Sequence, residues 1–273
     1  MVGDAFNKHL VAPYSPFQIL FIRSLGSLAV LLGFVLVRGG IATLRTQRPF
    51  THALRVGVML TAMILYNLSL KYLMLAETVT LFFAGPLFLT ALSAPMLGER
   101  IGWRRWTAVV VGFAGVVVVM QPGTDAMHPA ALLAVGDALF YAFVNIATRS
   151  LSRTESSLSL VVFSNIGICL GTGVGTPFQW VTPAPLDVAI LAGLGAAVVV
   201  AQYFHVTALR FAQVSLLGPF EYSAIFWAAL IGFAVWGEVP TATVWAGIAI
   251  IVGSGLYILY RESTVARRSP AEK

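Results

Sequence analysis

The chain has 273 residues, of which 58% are apolar (Ala, Val, Ile, Leu, Met, Phe, Trp, Tyr or Cys) and only 10% are charged. Soluble domains carry about 25% charged residues, so the composition excludes that class and predicts a polytopic membrane protein. The single cysteine excludes an intramolecular disulfide, and the net charge of +6 is interpreted as an orientation signal rather than as a nucleic-acid surface.

Nine apolar segments are predicted to span the membrane. In chain order they are 15–37, 56–74, 78–97, 106–120, 129–148, 157–176, 188–209, 214–236 and 242–260. The first dozen residues would cover only about 18 Å as a helix, which is too short to cross. We interpret them as the end of a tenth helix that is truncated.

The positive charges predict the orientation of these spans. Fourteen of the seventeen Lys and Arg residues, Arg55 among them, fall in alternate loops and in the tail. The opposite side has only Lys8 and Lys71, while Arg23 lies within a span. Because short positive loops stay in the cytoplasm, we expect a multi-pass protein with a cytoplasmic C-terminus.

The two halves of the sequence resemble each other at an offset of about 140 residues. The matching pairs are Leu97-Gly98-Glu99 with Trp236-Gly237-Glu238, Trp106 with Trp245, Lys8 with Arg149, and Gly85-Pro86 with Gly218-Pro219. We predict two five-helix repeats, residues 1–123 and 129–261, and a tail over 262–273. An odd number of helices per repeat inverts the second repeat relative to the first, as in secondary transporters. The predicted fold is therefore an all-α integral membrane protein with ten transmembrane helices, the first of them truncated.

Several short segments together resemble the EamA-like family of the drug/metabolite transporter superfamily. They are residues 4–8, 18–23, 76–77 with Pro86, 97–100, 218–222 and 237–240. The resemblance covers nearly the whole chain. It implies a solute carrier of the cytoplasmic membrane that moves amino acids, nucleotide-like metabolites, vitamins or drug-like compounds. Arg is far commoner than Lys in the sequence, which favours a bacterial source and hence the inner membrane.

Two charged residues inside predicted spans are the first candidates for a solute site. Arg23 and Glu221 each lie about 12 Å into a span, where a charge costs at least about 2.5–3.5 kcal/mol without a partner. In one interpretation Arg23 binds a carboxylate or phosphate of the solute, and Glu221 binds an amine or carries a coupled proton. In the other, Arg23 forms a structural ion pair with Glu221 or Asp4.

Other residues are predicted to line the same pathway. Interrupted helices mark the central site of many carriers, and breaks are predicted at Gly85, Pro86, Gly218 and Pro219. Polar candidates within spans are Asn67, Asp137, Tyr141, Asn145, Gln202 and Tyr222. Asp137 is either a cavity-facing or a structural carboxylate, Tyr222 is either a hydrogen-bonding neighbour or core filling, and the amides could simply join helices. Glu77 is interpreted as a helix cap.

The predicted function is secondary transport of a small organic metabolite by alternating access, with proton coupling through Glu221 as a subsidiary hypothesis. We predict no enzyme activity, no catalytic residues, no metal site and no cofactor. The predicted partners are a small solute and membrane lipid, with a homodimer left open and no nucleic acid. The alternatives are an integral-membrane enzyme acting on lipid or prenyl substrates, and an inactive truncated carrier.

Overall fold

The computed structural model describes the backbone of residues 1–37, 46, 48–98, 101–124, 127–152, 154–211 and 214–268, and their side chains except those of 205–221 and 262–268. This part of the chain folds into eleven α-helices and one short 3₁₀ helix, Thr176–Gln179. The α-helices are α1 Val2–Leu10, α2 Pro16–Val37, α3 Pro49–Tyr72, α4 Leu75–Phe82, α5 Gly85–Leu97, α6 Trp103–Met120, α7 Ala130–Leu151, α8 Ser157–Gly175, α9 Pro185–Phe211, α10 Val214–Trp236 and α11 Ala242–Arg268.

Eight spans in the described part are long and apolar enough to cross a membrane, with α4 and α5 together forming one of them, Leu75–Leu97. A ninth, α10, contributes the shorter apolar stretch Tyr222–Trp236. The nine predicted spans are therefore present, and the chain is a multi-pass membrane protein. The two bounds that differ most from the prediction are the start of α3 at Pro49 and the end of α11 at Arg268. Proline suits the first turn of a helix, since the amide it lacks would have no acceptor there.

The earlier start of α3 corrects the assignment of Arg55. The charge pattern predicts a loop position for that residue, but it lies inside α3 and is only 4% exposed. Its Nη2 donates to the carbonyl oxygen of Leu160 at 2.8 Å and to Ser164 Oγ at 2.6 Å. The guanidinium is retained inside the bundle because α8 supplies these acceptors.

The break predicted in the first half is present. Helix α4 ends at Phe82 and α5 begins at Gly85, so Phe83 and Ala84 form the turn between them. Pro86 cannot donate a hydrogen bond back to the preceding turn, which accounts for an interruption at this place. The predicted cap is also confirmed, since the Glu77 carboxylate accepts a hydrogen bond from the Met74 amide at 3.3 Å.

The break predicted in the second half is wrong. The backbone is helical through Gly218 and Pro219, which lie within the first two turns of α10. The first four amides of a helix have no acceptor within it, so a proline near the start removes few further hydrogen bonds. The two halves therefore differ at this position although their sequences match.

The helix packing follows the internal repeat. The first repeat contains α1, α2, α3, the broken pair α4 and α5, and α6, while the second contains α7 to α11 in equivalent order. Helix α2 packs on its equivalent α8 and also on α9, whereas α8 packs on α3. Likewise α6 packs on its equivalent α11, and α4 on α10. Exchanging the two halves thus leaves the main set of neighbours unchanged, as expected for an inverted repeat.

Helices α2 and α9 approach each other closely through glycine. A Cβ on Gly26 would lie 2.7 Å from the Cα of Ala192, and one on Gly195 would lie 2.9 Å from the amide nitrogen of Ser27. The hydroxyl of Ser27 donates to the Gly195 carbonyl oxygen at 2.8 Å. Small residues allow such backbone contact between membrane helices, and here they fix the helix that carries Arg23.

Candidate functional site

A cavity of about 540 Å³ lies within the helix bundle. Six of the eight predicted binding residues line it: Arg23, Asn67, Asp137, Tyr141, Asn145 and Gln202. They come from four helices, α2, α3, α7 and α9, which belong to both repeats. The geometry brings these side chains together, while their binding of a solute stays a prediction.

Arg23 is the cation of the central part of the cavity. It is 9% exposed, and its nearest electrostatic neighbours are Asp4 and Tyr66. The Tyr66 hydroxyl donates to Asp4 Oδ1 at 3.2 Å. No carboxylate of a described side chain lies within 4.0 Å of the Arg23 guanidinium. The side chain of Glu221 is not among those that the structure describes. Within that part of the chain the guanidinium can therefore accept a ligand without giving up an ion pair.

Asp137 places a carboxylate in the same cavity. It is 4% exposed, and its Oδ2 has no hydrogen-bond partner among the described residues. Its neighbours on α7, Ala134 and Ala138, are fully buried, so the helix surface around the carboxylate is apolar. A carboxylate buried without a partner is costly, which distinguishes Asp137 from the capping role of Glu77.

An aromatic wall made of Tyr66, Phe82, Phe83 and Tyr141 forms one side of the cavity. The ring of Phe82 lies 4.9 Å from that of Tyr141 and 5.9 Å from that of Tyr66, both edge-to-face. Gly85 makes room for this arrangement, since a Cβ there would lie 2.8 Å from the Tyr141 ring. The predicted Gly-Pro break in the first half therefore shapes the wall.

The amide side chains around the cavity are partly satisfied by their own helices. Asn67 Nδ2 donates to the Met63 carbonyl and Asn145 Nδ2 to the Tyr141 carbonyl, both at 2.8 Å. The Oδ1 of Asn67 is buried without a partner within the described residues. Gln202 borders the main cavity and a second one of about 410 Å³ that also contains Arg23. These groups offer further acceptors and donors to a polar solute.

Arg55 is a cavity residue that the sequence did not reveal. Besides its bonds to α8, its Nη1 donates to Thr148 Oγ1 at 3.3 Å. Arg55, Thr148 and Leu160 line the end of the cavity that lies near the arginine-rich loops. The signal that could have identified Arg55 is Pro49, which marks a helix start before it.

Three predicted residues are not described at the cavity. The structure describes the backbone of Gly218, Pro219 and Glu221 but not their contacts, so their place at the cavity remains a prediction. Tyr222 is 6% exposed and its ring lies 4.9 Å from that of Phe83. It also packs directly against Gly255 of α11, where a Cβ would collide with the phenol ring. Tyr222 thus packs between Phe83 of the aromatic wall and α11.

A polar latch of Lys8 and Glu238 closes the opposite end of the bundle. Lys8 Nζ donates to the Leu73 carbonyl oxygen at 2.8 Å and to the Glu238 carboxylate. The other oxygen of that carboxylate accepts a hydrogen bond from the Leu75 amide at 2.8 Å. The ammonium also lies 5.4 Å from the centre of the Trp236 ring. The latch joins α1, the start of α4 and the end of α10, and hence both repeats.

The comparisons with known proteins agree with this architecture. The EamA-like transporter family model matches residues 2–121 and 128–260. The S-adenosylmethionine uptake transporter of Rickettsia prowazekii is 30% identical over 261 residues, which are 96% of this chain and 88% of that protein. The riboflavin transporter of Vibrio cholerae is 31% identical over 251 residues, 89% of this chain and 82% of that protein.

A solved structure extends the comparison to the fold. A crystal structure whose description gives no activity aligns with a TM-score of 0.67 at 22% identity, covering 99% of this chain and 96% of that one. This likeness supports the fold alone. The two relatives are transporters, so the alternative of a lipid- or prenyl-modifying membrane enzyme is not favoured. The chain belongs to the EamA-like transporter family of the drug/metabolite transporter superfamily and is a secondary transporter of small metabolites.

Proposed function

We propose that this carrier moves a charged metabolite with a fused heteroaromatic ring, of the class represented by S-adenosylmethionine. The observation that carries the proposal is the convergence of the aromatic wall, Arg23 and Asp137 on one cavity. Aromatic side chains stack on flat ring systems, and a guanidinium binds a carboxylate by paired hydrogen bonds. The volume of about 540 Å³ falls within the roughly 300–1,000 Å³ of small-molecule sites.

The relatives' names support the same class. One is named for S-adenosylmethionine and the other for riboflavin. These two compounds share a fused nitrogen heterocycle joined to a hydroxylated chain or sugar. They differ in charge, since S-adenosylmethionine carries a carboxylate, an ammonium and a sulfonium while riboflavin is neutral. A cavity with both a cation and a carboxylate fits the charged compound better.

The two ends of the bundle support alternating access as the mechanism. At one end the latch of Lys8 and Glu238 joins the repeats. At the other the cavity reaches Thr148 and Leu160, near the arginine-rich loops. With those loops in the cytoplasm, the protein adopts a state closed to the outside and accessible from the inside. The C-terminus is then cytoplasmic and the protein resides in the bacterial inner membrane.

Counterflow in reconstituted vesicles tests the substrate class in either direction of transport. Vesicles loaded with unlabelled S-adenosylmethionine should accumulate the labelled compound transiently, and excess riboflavin or amino acids should compete less than S-adenosylmethionine itself. Arg23→Ala should reduce counterflow, whereas Arg104→Ala, which removes an exposed guanidinium on α6, should not. Failure of the wild-type protein to exchange S-adenosylmethionine would contradict the proposal.

Proton coupling through Glu221 is a second, separable part of the proposal. Its support is the position of Glu221 along the chain, about 10 Å into α10 from the start of that helix. With coupling, an imposed pH gradient drives net uptake in the wild type and Glu221→Gln abolishes this drive. A Gln variant that keeps both transport and its pH dependence would exclude coupling at this residue.

A further inference from the structure

Asp137 is the carboxylate of the cavity for which the described structure provides no partner. It lies on the second turn of α7, is 4% exposed, and its Oδ2 accepts no hydrogen bond there. A buried carboxylate is retained when it is paired, protonated, or used to bind a cation. The arrangement of charges around the cavity excludes pairing with a described residue, and the aromatic wall beside the carboxylate favours the binding of a cation.

The fixed cations of the cavity are directed elsewhere. Arg55 donates to Leu160, Ser164 and Thr148. Arg23 has Asp4 and Tyr66 as its electrostatic neighbours. Among the described residues, no Lys, Arg or His lies within 4.0 Å of the Asp137 carboxylate. The counter-charge of Asp137 is therefore not supplied by that part of the protein.

The aromatic wall begins one turn away from this carboxylate. Tyr141 follows Asp137 by four residues on α7, so the two side chains share a helix face about 6 Å apart along the axis. Phe82 packs edge-to-face on the Tyr141 ring, with 4.9 Å between ring centres. A flat ring that stacks on this wall would hold a substituent a few bonds away against the carboxylate.

We propose that Asp137 binds the sulfonium of the solute and thereby selects it over compounds that have the same ring, sugar and amino-acid end but lack this positive charge. This inference rests on the proposed substrate class and assigns its charge preference to one residue. Arg23 holds the anionic end of the same solute. Opposite charges at two points of one cavity orient a zwitterion and favour it over compounds that lack either charge, which bind more weakly.

Competition by S-adenosylhomocysteine tests the inference, since it lacks the sulfonium methyl group and its positive charge but retains the ring, the sugar and the amino-acid end. In wild-type vesicles S-adenosylmethionine should compete in counterflow about 10- to 100-fold better than S-adenosylhomocysteine. The Asp137→Asn variant should lose this preference, because competition by S-adenosylmethionine should weaken while competition by S-adenosylhomocysteine should not change. Asp137→Glu should restore part of it, and Asp187→Asn, on the outer part of α9, should leave it unchanged.

Binding of adenosine, which has the ring and no cation, shows that the Asn variant is folded. Unchanged adenosine competition with a lost charge preference supports the inference. An Asn variant that keeps the wild-type preference overturns it, and so does one that loses only the pH dependence of transport, which would assign a proton to Asp137. If wild type exchanges S-adenosylmethionine without preference over S-adenosylhomocysteine, this inference fails while the substrate class stands. If the wild-type protein exchanges neither S-adenosylmethionine nor S-adenosylhomocysteine, both this inference and the proposed substrate class fail.

Discussion

Replacing Gly26 by alanine tests whether the backbone contact between α2 and α9 fixes the position of Arg23. The added Cβ would lie 2.7 Å from the Cα of Ala192 and nearer still to its carbonyl oxygen. Ordinary van der Waals contacts of a Cβ begin at 3.4 Å. The two helices must therefore separate by at least about 0.7 Å, because backbone atoms cannot rotate away.

The expected cost is that of overpacking a tight interface, about 1–3 kcal/mol. Alanine also favours a helix over glycine by up to about 1 kcal/mol, which opposes the effect. Gly33→Ala in the same helix is the matched control, since a Cβ there meets nothing within 4 Å. The difference in stability between the two variants is therefore the cost of the steric contact between the added Cβ and α9. For a chain of this size it corresponds to a melting temperature lower by about 3–10 °C.

The assay is thermal unfolding in detergent, followed by counterflow of the same preparations. Gly26→Ala should melt below Gly33→Ala and transport less, because Arg23 lies one turn from the widened contact. The reciprocal pair on α9, Gly195→Ala with Gly193→Ala as control, should behave alike. Equal melting temperatures within either pair would refute the argument that these glycines are needed for close approach.

Three further predictions concern polar contacts away from the proposed charge pair. Arg55→Lys should lower the melting temperature, since an ammonium cannot replace the several donors of the guanidinium, whereas Arg104→Lys at an exposed position should not. Lys8→Met should open the latch, and a cysteine introduced nearby should then react faster with an impermeant maleimide than in a Lys71→Met control. The hydrogen bond that Tyr14 donates to a carboxylate raises the pKa of the phenol. The stabilisation that this hydrogen bond gives the folded protein should be fully present below the ordinary tyrosine pKa and lost as the pH rises through the raised value. The loss of stability caused by Tyr14→Phe should therefore be constant from pH 6 to 9.

The spans could be predicted from the sequence because membrane insertion depends on length and hydrophobicity, which are local properties. The position of Arg55 could not, because it depends on partners distant in sequence. A cation near the end of an apolar stretch is normally assigned to the loop. Here α8 offers the Leu160 carbonyl and Ser164 as acceptors, and the helix extends to include the charge. Only the packed structure reveals such acceptors.

The charged and amide side chains that lie at mid-span were predictable for the opposite reason. A polar residue at mid-span is too costly to face lipid, so Arg23, Asp137 and Gln202 had to face the interior of the bundle. Aromatic residues give no such signal, because Phe82 in a cavity wall and Tyr222 in the core behind it are equally apolar in sequence. Their places depend on packing, since Phe83 lines the cavity and its ring also lies 4.9 Å from that of Tyr222.

The repeat connects the latch to the transport cycle. Lys8 and Glu238, which join the two halves at one end of the bundle, are equivalent in the sequence repeat to Arg149 and Glu99. In an inverted repeat, equivalent residues lie at opposite membrane faces. If the halves exchange conformations during transport, we predict that Arg149 and Glu99, the latter outside the described residues, pair at the opposite end of the bundle in the other state. A carrier with one latch per repeat would then break one pair of charges while forming the other, which keeps the free energies of its two states close, as rapid alternation requires.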